Sequence, residues 1–390
     1  MKIIRYCFCI SIVLIVIITI IFAVSTGRSY LTTHNTIKTQ IEGLFSTIPF
    51  DTFFKESFNK YLNITQRGHF NGVTFLTDGR LMFDTQDERV FLNQRADEIT
   101  RLNDYLHDYE TPFLYIRIPN KLQDNSLLPL ALSDNHIIND GDRLVNILDG
   151  NGVDTLDLRV EMERDDVDFY SAFYNGDHHW TTDTALWALK KIGEYANREY
   201  GFNIDGKVWD IQQYEHFTFK QAFLGEESEI VYALSNFEDI SFLVPKFFTE
   251  HTVYEISDDG YTDFLISGSF ADVFVPKVNN EYNDRIVYDD LNVMQWYRSF
   301  NRYITSGAGD NKNVLFIADS MGWPLGPLFA NAFESVDNFY LVPRANQRVW
   351  AAIDRNDYDL VVFLLSDVVL AFEDSDIFDE DRLYLGYPEW

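Results

Sequence analysis

The apolar positions of this chain fall into two patterns, short strand-like runs and helix-spaced stripes. In the clearest stripe, residues 185–200, Leu186, Leu189, Ile192 and Tyr195 recur on one helical face. Further helices are predicted over 88–109, before Gly150 and over 322–334. The strand-like runs are 113–118, 153–157, 313–318, 339–342 and 359–365. Strands that alternate with helices at this spacing predict βαβ units, a parallel sheet and an α/β fold.

Two other segments depart from this alternation. Residues 69–83 contain two apolar-rich runs on either side of Asp78-Gly79, which predicts a β-hairpin. Residues 205–300 are rich in aromatic and β-branched residues without a clear period, and we expect an irregular, partly β insertion there. Together with the α/β alternation, these segments place the main domain at 65–390.

The N-terminal 28 residues differ in composition from all that follows. Lys2 and Arg5 precede an apolar run of 19 residues from Tyr6 to Val24, near the ~20 residues that span a bilayer as a helix. We therefore predict a membrane anchor at 1–28, a juxtamembrane stalk at 29–64, a cytoplasmic N-terminus and an extracytoplasmic domain. The alternative is a signal peptide cleaved near Ala23-Val24-Ser25, which would release a secreted protein.

Charge and cysteine content exclude several classes of protein. The chain has 31 Lys and Arg against 61 Asp and Glu, a formal net charge of -30, which argues against nucleic acid as a partner. Its two cysteines, Cys7 and Cys9, both lie in the predicted membrane segment. Neither a disulfide framework nor a cysteine-rich zinc site is therefore expected in the exported part.

One candidate nucleophile is Ser320, which with Asp319 follows a near-continuous apolar strand. Ligands of open α/β sheets bind at the carboxyl ends of the strands. A serine on the turn after such a strand is exposed on a rigid support, beside amides that stabilise an oxyanion. The alternative is a purely structural role, in which Ser320 only caps the following helix.

A candidate base lies in the loop Tyr174-Asn-Gly-Asp-His-His-Trp-Thr-Thr-Asp183. Serine needs a base to accept its proton, and a carboxylate on the second ring nitrogen fixes the histidine tautomer. Asp177 and His179 have the spacing for that pair, although both are also ordinary loop residues. Asp177, His178 and His179 are metal-ligand types as well. Because adjacent histidines rarely point at one ion, we predict neither a metal nor a cofactor.

These residues resemble a known family. Asp177-His178-His179-Trp180 is the signature of the DHHW proteins, which look related to the SGNH-type proteins of alginate O-acetylation. The elements around Ile118-Pro-Asn-Lys121, 152–158 and Phe316-Ile-Ala-Asp-Ser320 are similar too. The resemblance covers about 65–200 and 310–370. Ala318 and Thr184 occupy positions where glycine is common in that family. Because of these departures, the alternative that this protein is an inactive relative stays open.

The resemblance implies a three-layer α/β/α SGNH-hydrolase-like domain and a role for each matching residue. Ser320 corresponds to the nucleophile, His179 to the base and Asp177 to the residue that orients it. The remaining candidates are Gly322 and Asn346 for the oxyanion, Arg344 for substrate, and Trp180 and Trp323 as sugar-stacking rings that flank the triad members in the sequence. Arg344 is alternatively a surface charge, and the tryptophans are alternatively core residues, as aromatic side chains more often are.

The expected function is O-acetylation of a cell-surface polysaccharide outside the cytoplasm. A membrane partner would deliver the acyl group, and the acidity of the chain favours a neutral glycan. Two alternatives stay open. One is a carbohydrate esterase or deacetylase with the same triad, and the other is a glycan-binding or assembly protein on a degenerate scaffold.

Overall fold

The computed structural model describes residues 68–83, 92–122, 124–129, 136–231, 237–257, 262–275, 286–287, 301–307, 309–341 and 345–367. The predicted anchor at 1–28 and stalk at 29–64 lie outside these residues. Among the helices that are described, none is both long enough and apolar enough to cross a bilayer.

Fourteen strands and nine α-helices make up the described part of the chain. The strands are β1 (His69–Phe70), β2 (Val73–Phe75), β3 (Leu81–Phe83), β4 (Phe113–Ile118), β5 (Asp154–Asp157), β6 (Tyr214–Leu224), β7 (Glu238–Pro245), β8 (Glu250–Ile256), β9 (Thr262–Ser269), β10 (Ile286–Val287), β11 (Asn301–Ser306), β12 (Asp310–Ala318), β13 (Phe333–Tyr340) and β14 (Leu360–Ser366). The helices are α1 (Leu92–Asp108), α2 (Ile137–Gly150), α3 (Leu158–Arg164), α4 (Phe169–Ala172), α5 (Thr182–Glu199), α6 (Glu226–Ile230), α7 (Phe270–Phe274), α8 (Gly326–Ala332) and α9 (Ala345–Arg355).

An eight-stranded mixed sheet in the order β5-β4-β14-β12-β13-β11-β8-β9 organises the domain. The first five strands run parallel, and the last three continue the sheet antiparallel. The predicted α/β class is therefore confirmed, with an antiparallel extension that the strand-helix alternation did not predict. Strands β8 and β9 come from the segment expected to be an irregular insertion, but they pair within the main sheet.

Helices cover both faces of the parallel half, because its strands are apolar on both sides. Every residue of β4 and β14 is buried. On one face, Ile116 and Phe316 pack in a core with α5 and α8. On the other, Tyr115 and Leu315 pack in a core with α1, α2 and α9. The result is a three-layer α/β/α arrangement.

The predicted helix at 322–334 is shorter than expected. A 3₁₀ turn at Ser320–Gly322 comes first, α8 follows it, and β13 begins directly at Phe333. Phe333 is fully buried and packs edge-on against Phe202. Pairing of β13 with β12 and β11 outweighs the helical pattern, which shows how tertiary contacts override local preference.

Charged side chains cluster where the parallel strands end. Arg117, at the end of β4, is fully buried and donates two hydrogen bonds of 2.9 Å to Asp367, just beyond β14. Its guanidinium also donates to Asp157 at the end of β5 and to Asp142 on α2. Carboxyl ends of parallel strands meet at one edge, so one cation joins three neighbouring strand ends there.

We expect the substitution Arg117→Met to lower the free energy of unfolding by about 3–5 kcal/mol, because it leaves the buried carboxylate of Asp367 without its counter-charge. Urea denaturation followed by circular dichroism measures the change. The control is Lys220→Met, which removes the exposed ion pair of Lys220 with Asp239 and should leave the midpoint nearly unchanged. Equal effects of both substitutions would contradict this account.

Candidate active site

The turn that carries Ser320 is tied to two strands of the sheet. β12 ends at Ala318, and Asp319 then caps the 3₁₀ turn by accepting a 2.9 Å hydrogen bond from the Met321 amide. The second carboxylate oxygen of Asp319 accepts from the Ser366 amide, at the end of β14, at 2.7 Å. Burial raises the pKa of Asp319 in spite of these hydrogen bonds. Ser320 itself is half-buried and begins the turn.

Gly322 is required by the close approach of this turn to β12. A Cβ atom at position 322 would lie 2.4 Å from the Cβ of Ala318. Its amide already donates to the Asp319 carbonyl at 2.9 Å. The contacts of Gly322 are thus those of a turn residue packed against the strand end, so they give no support to its predicted oxyanion role.

The loop that carries the DHHW signature is closed at its base. Phe173 and Trp180 form an isolated β-bridge, and the Tyr174 amide donates to the His179 carbonyl at 3.1 Å. Thr181 caps α5. The Thr184 hydroxyl donates to the Ala172 carbonyl at 2.9 Å. Thr184 therefore adds a side-chain hydrogen bond to the base of this loop.

Asp177 and His179 form the predicted contact. The Oδ1 atom of Asp177 lies 2.6 Å from Nδ1 of His179 and accepts from the His179 amide at 2.8 Å. The Oδ2 atom accepts from the Glu226 amide at 2.8 Å. Both side chains are buried. An ionised Asp177 makes Nδ1 the protonated ring nitrogen, which leaves Nε2 as a proton acceptor.

His179 also reaches the turn of Ser320. Its ring stacks on that of Trp323, with centroids 5.2 Å apart and planes 19° apart, and the Trp323 amide donates to the Ser320 carbonyl at 3.0 Å. The Nε2 atom of His179 is buried and has no hydrogen-bond partner among the described residues. The predicted base is therefore in contact with its orienting carboxylate, and its ring packs against Trp323, which directly follows the turn of Ser320.

Two charged side chains, the buried Lys121 and the half-buried Glu238, hold the backbone of this loop. The Lys121 ammonium donates to the carbonyls of Asp177, Tyr174 and Asn175 at 2.7, 3.1 and 3.2 Å, and burial lowers its pKa. Glu238 on β7 accepts from the amides of Asn175 and Gly176 at 2.8 and 2.7 Å. These contacts satisfy most of the backbone groups that the loop buries.

Backbone amides of helix α6 bind the same loop. Besides the bond from Glu226 to Asp177, the Ser228 amide donates to the Gly176 carbonyl at 2.9 Å. Gly225 lies so close that a Cβ there would be 2.3 Å from both the Asp177 Cβ and the Gly176 carbonyl oxygen. The segment at 205–300 therefore supplies part of the site, although its sequence matches the family only loosely.

The electrostatics of the pair favour a charged acid and a neutral base. Burial raises the pKa of Asp177, but the His179 ring, the charge on His178 and the Glu226 amide together hold it below its ordinary value. Burial and then the charge on His178 lower the pKa of His179 more than the nearby Asp177 raises it. At neutral pH, His179 is accordingly ready to accept a proton.

A metal at this loop fits less well than a hydrogen-bonded pair. Atoms of Asp177, His178 and His179 lie within 4.8 Å of one another. Two ligands at about 2.0–2.2 Å from one tetrahedral ion stand roughly 3.3–3.5 Å apart. The 2.6 Å between Asp177 and His179 is a hydrogen-bond distance instead.

The structure describes both tryptophans among the remaining candidate residues, Asn346 only in its backbone, and Arg344 not at all. Trp180 and Trp323 are 1% and 4% exposed, so the expected sugar-stacking platform is wrong for both: their rings lie in the core, and Trp323 faces His179. Asn346 falls within α9, but its side chain is not described. Arg344 lies outside the described residues.

The sequence did not reveal the roles of Lys121, Glu226 and Glu238. In the sequence, Lys121 stands out only as the last residue of the Ile118–Lys121 element that resembles the DHHW proteins. Glu226 and Glu238 are ordinary acidic residues in a segment without a clear period. Their roles arise from contacts with residues at least 49 positions away. No local pattern in a single sequence carries that information.

Comparison with known proteins identifies the fold. No family model and no curated protein matches the sequence. Among solved structures, Bacillus cereus PatB1 with a sulfonyl adduct matches at TM-score 0.59 and 16% identity, over 79% of this chain and 96% of that one. A DHHW family protein from Eubacterium siraeum matches at TM-score 0.55 and 16% identity, over 79% and 95%.

These two structures share the fold with this chain, which confirms the resemblance to a DHHW family protein at the level of a mixed α/β fold with a large, mostly parallel sheet. The O-acetyltransferase domain of Pseudomonas putida AlgJ also matches, at TM-score 0.48 and 16% identity, over 80% and 97%. That score is too low to support an inference, and identities of 16% establish a fold and not a reaction.

We expect Gly225→Ala to push α6 away from Asp177 and to lower the free energy of unfolding by about 1–3 kcal/mol, the usual cost of overpacking. Chemical denaturation measures it. The control is Gly150→Ala at the end of α2, where an added Cβ meets nothing within 4 Å. If the two variants are equally stable, the close contact at Gly225 is not a constraint.

Proposed function

We propose that this protein is an SGNH-like acyl-transfer enzyme that uses Ser320 as nucleophile, His179 as base and Asp177 as the residue that orients the base. One observation carries the proposal: the Asp177–His179 pair leaves a buried Nε2 atom without a hydrogen-bond partner among the described residues, in a ring that stacks on Trp323, the residue that follows the turn of Ser320. The shared fold with PatB1, whose structure holds a sulfonyl adduct, is consistent with it.

The reaction has two half-steps on these residues. In the first, Ser320 Oγ attacks the carbonyl carbon of an acyl ester while His179 Nε2 accepts the hydroxyl proton, and the leaving alcohol then takes that proton. In the second, a sugar hydroxyl attacks the acyl-serine, Nε2 accepts its proton, and the proton returns to Ser320 Oγ. Asp177 stays ionised throughout and stabilises the imidazolium formed in each step.

The acceptor in this proposal is a hydroxyl of a neutral cell-surface glycan. The formal charge of -30 would repel a strongly anionic polymer. The acyl donor would come from a membrane-bound partner, because the predicted topology places the domain outside the cytoplasm, away from acetyl-CoA. Since Ser320 is half-buried and not sealed from solvent, water is a competing acceptor, which would make the protein an esterase.

We expect Ser320→Ala to reduce acetyl transfer by about a thousandfold or more, because no other group supplies the nucleophile. The assay uses the full chain in detergent, 4-nitrophenyl acetate as donor and a neutral oligosaccharide as acceptor, with acetylated sugar measured by mass spectrometry. The control is Ser335→Ala, which changes a half-buried serine near the start of β13 and should transfer at the wild-type rate.

Each result of that assay distinguishes one function from another. Equal transfer by the wild type and Ser320→Ala would reject the triad. Acetate release that depends on Ser320, without acetylated sugar, would favour the esterase. Glycan binding without turnover in either protein would favour the non-catalytic alternative.

We further expect phenylmethylsulfonyl fluoride to label Ser320, and Asp177→Asn to slow the labelling at least about a hundredfold, because the amide no longer selects the reactive histidine tautomer. Peptide mass mapping locates the label. Asp183→Asn, which alters the exposed pair with His216, is the matched control and should label normally. A label on another residue would contradict the assignment of the nucleophile.

A further inference from the structure

The second residue of the signature, His178, contacts a carboxylate that the triad does not use. Its Nδ1 atom lies 3.5 Å from Glu227 Oε2. Glu226 Oε2 and Asp177 Oδ1 are farther away, at 3.9 and 4.0 Å. His178 is 7% exposed and Glu227 is fully buried. A histidine enclosed by three carboxylates experiences a negative potential that favours its charged form.

Burial of the Glu227 carboxylate also favours a positively charged neighbour. Both of its carboxylate oxygens are buried and lack a hydrogen-bond partner among the described residues. The nearest cationic groups are His178 and the Lys121 ammonium, which lies 3.8 Å from Oε1. An unpaired buried carboxylate is costly, so positive charge next to Glu227 stabilises its ionised form.

His178 is also in direct contact with the expected base. The rings of His178 and His179 have centroids 4.0 Å apart and planes 38° apart. The ring of Phe83, on β3, packs against His178 at 5.1 Å. The His179 ring thus contacts the rings of both His178 and Trp323, and any charge on His178 lies next to the base.

We propose that His178 is a positioning residue: paired with Glu227, it holds the His179 ring against Trp323 and places a positive charge beside it that disfavours protonation of the base. This inference rests on the proposed function for its catalytic consequence, since it treats His179 as the base. Glu227 comes from α6, so the same helix that supports Asp177 also supplies the counter-charge of His178.

The charged groups around His178 agree with this assignment. Burial lowers the pKa of His178, but Glu227, Asp177 and Glu226 outweigh it and raise the pKa to about 9. The pKa of His179 is lowered, by burial first and by the charge on His178 second. Lys121 contacts Glu227 from the other side. Between the two pKa values, His178 is charged while His179 is free to accept a proton.

The first test is a histidine NMR titration of the wild-type full chain in detergent. We expect one imidazole to titrate well above the ordinary histidine range and its neighbour below it. The upper titration belongs to His178 and the lower one to His179. The reverse order, or two ordinary titrations, would overturn the proposal without the need for any variant.

The second test is His178→Gln, which removes the charge and retains a polar side chain. Without the neighbouring charge, the titration midpoint of His179 should rise by about one pH unit. The acidic limb of kcat/KM for acetyl-ester cleavage should move upward by the same amount, and the plateau should fall because the His179 ring loses a neighbour that positions it. A residue with a merely structural role would lower the plateau and leave the limb in place.

The control and the second variant separate the possible results. His216→Gln changes an exposed histidine that also contacts a carboxylate and should move neither readout. Glu227→Gln should lower the titration midpoint of His178. An unchanged or lowered His179 midpoint in His178→Gln overturns the inference. If the wild type has no acyl-transfer or esterase activity but the midpoint moves as expected, the proposed function fails and the coupling between the histidines stands.

Discussion

The buried carboxylate of Asp177 is the group on which the site depends. A buried charge is tolerated only when its lone pairs are satisfied, and Asp177 receives hydrogen bonds from the His179 ring, the His179 amide and the Glu226 amide. Those three donors fix the loop, the ring and helix α6 relative to one another. Lys121 and Glu238 then satisfy the backbone of the same loop.

Buried ionic groups continue from this loop toward the sheet. Asp319 and Arg117 lie at the ends of β12 and β4, and each joins neighbouring strands through hydrogen bonds. In a chain with a net charge of -30, the buried cations Arg117 and Lys121 thus lie where strands end and loops meet. That placement offsets the self-repulsion of the acidic groups at the edge where an α/β sheet binds ligands.

The sequence predicts the parts of this molecule that depend on local pattern. The apolar runs of β4, β12 and β14 and the stripe of α5 mark buried elements directly, and the spacing of Asp177 and His179 predicts their contact. It does not predict that β8 and β9 join the main sheet, because strand pairing depends on distant residues. The same reason hides Glu227 and Lys121, whose roles exist only once α6 and β4 approach the loop. Trp180 and Trp323 are buried as most aromatic residues are, and their positions next to the proposed triad residues in the sequence wrongly favoured a sugar platform.

The contact between Ala318 and Gly322 has a consequence for how related chains can vary. The strand end and the 3₁₀ turn approach so closely that the two positions together have room for one methyl group. This chain carries it on the strand, at Ala318, and leaves the turn bare at Gly322. Positions 318 and 322 should therefore vary as a pair among relatives, with a side chain gained on one side only when it is absent from the other.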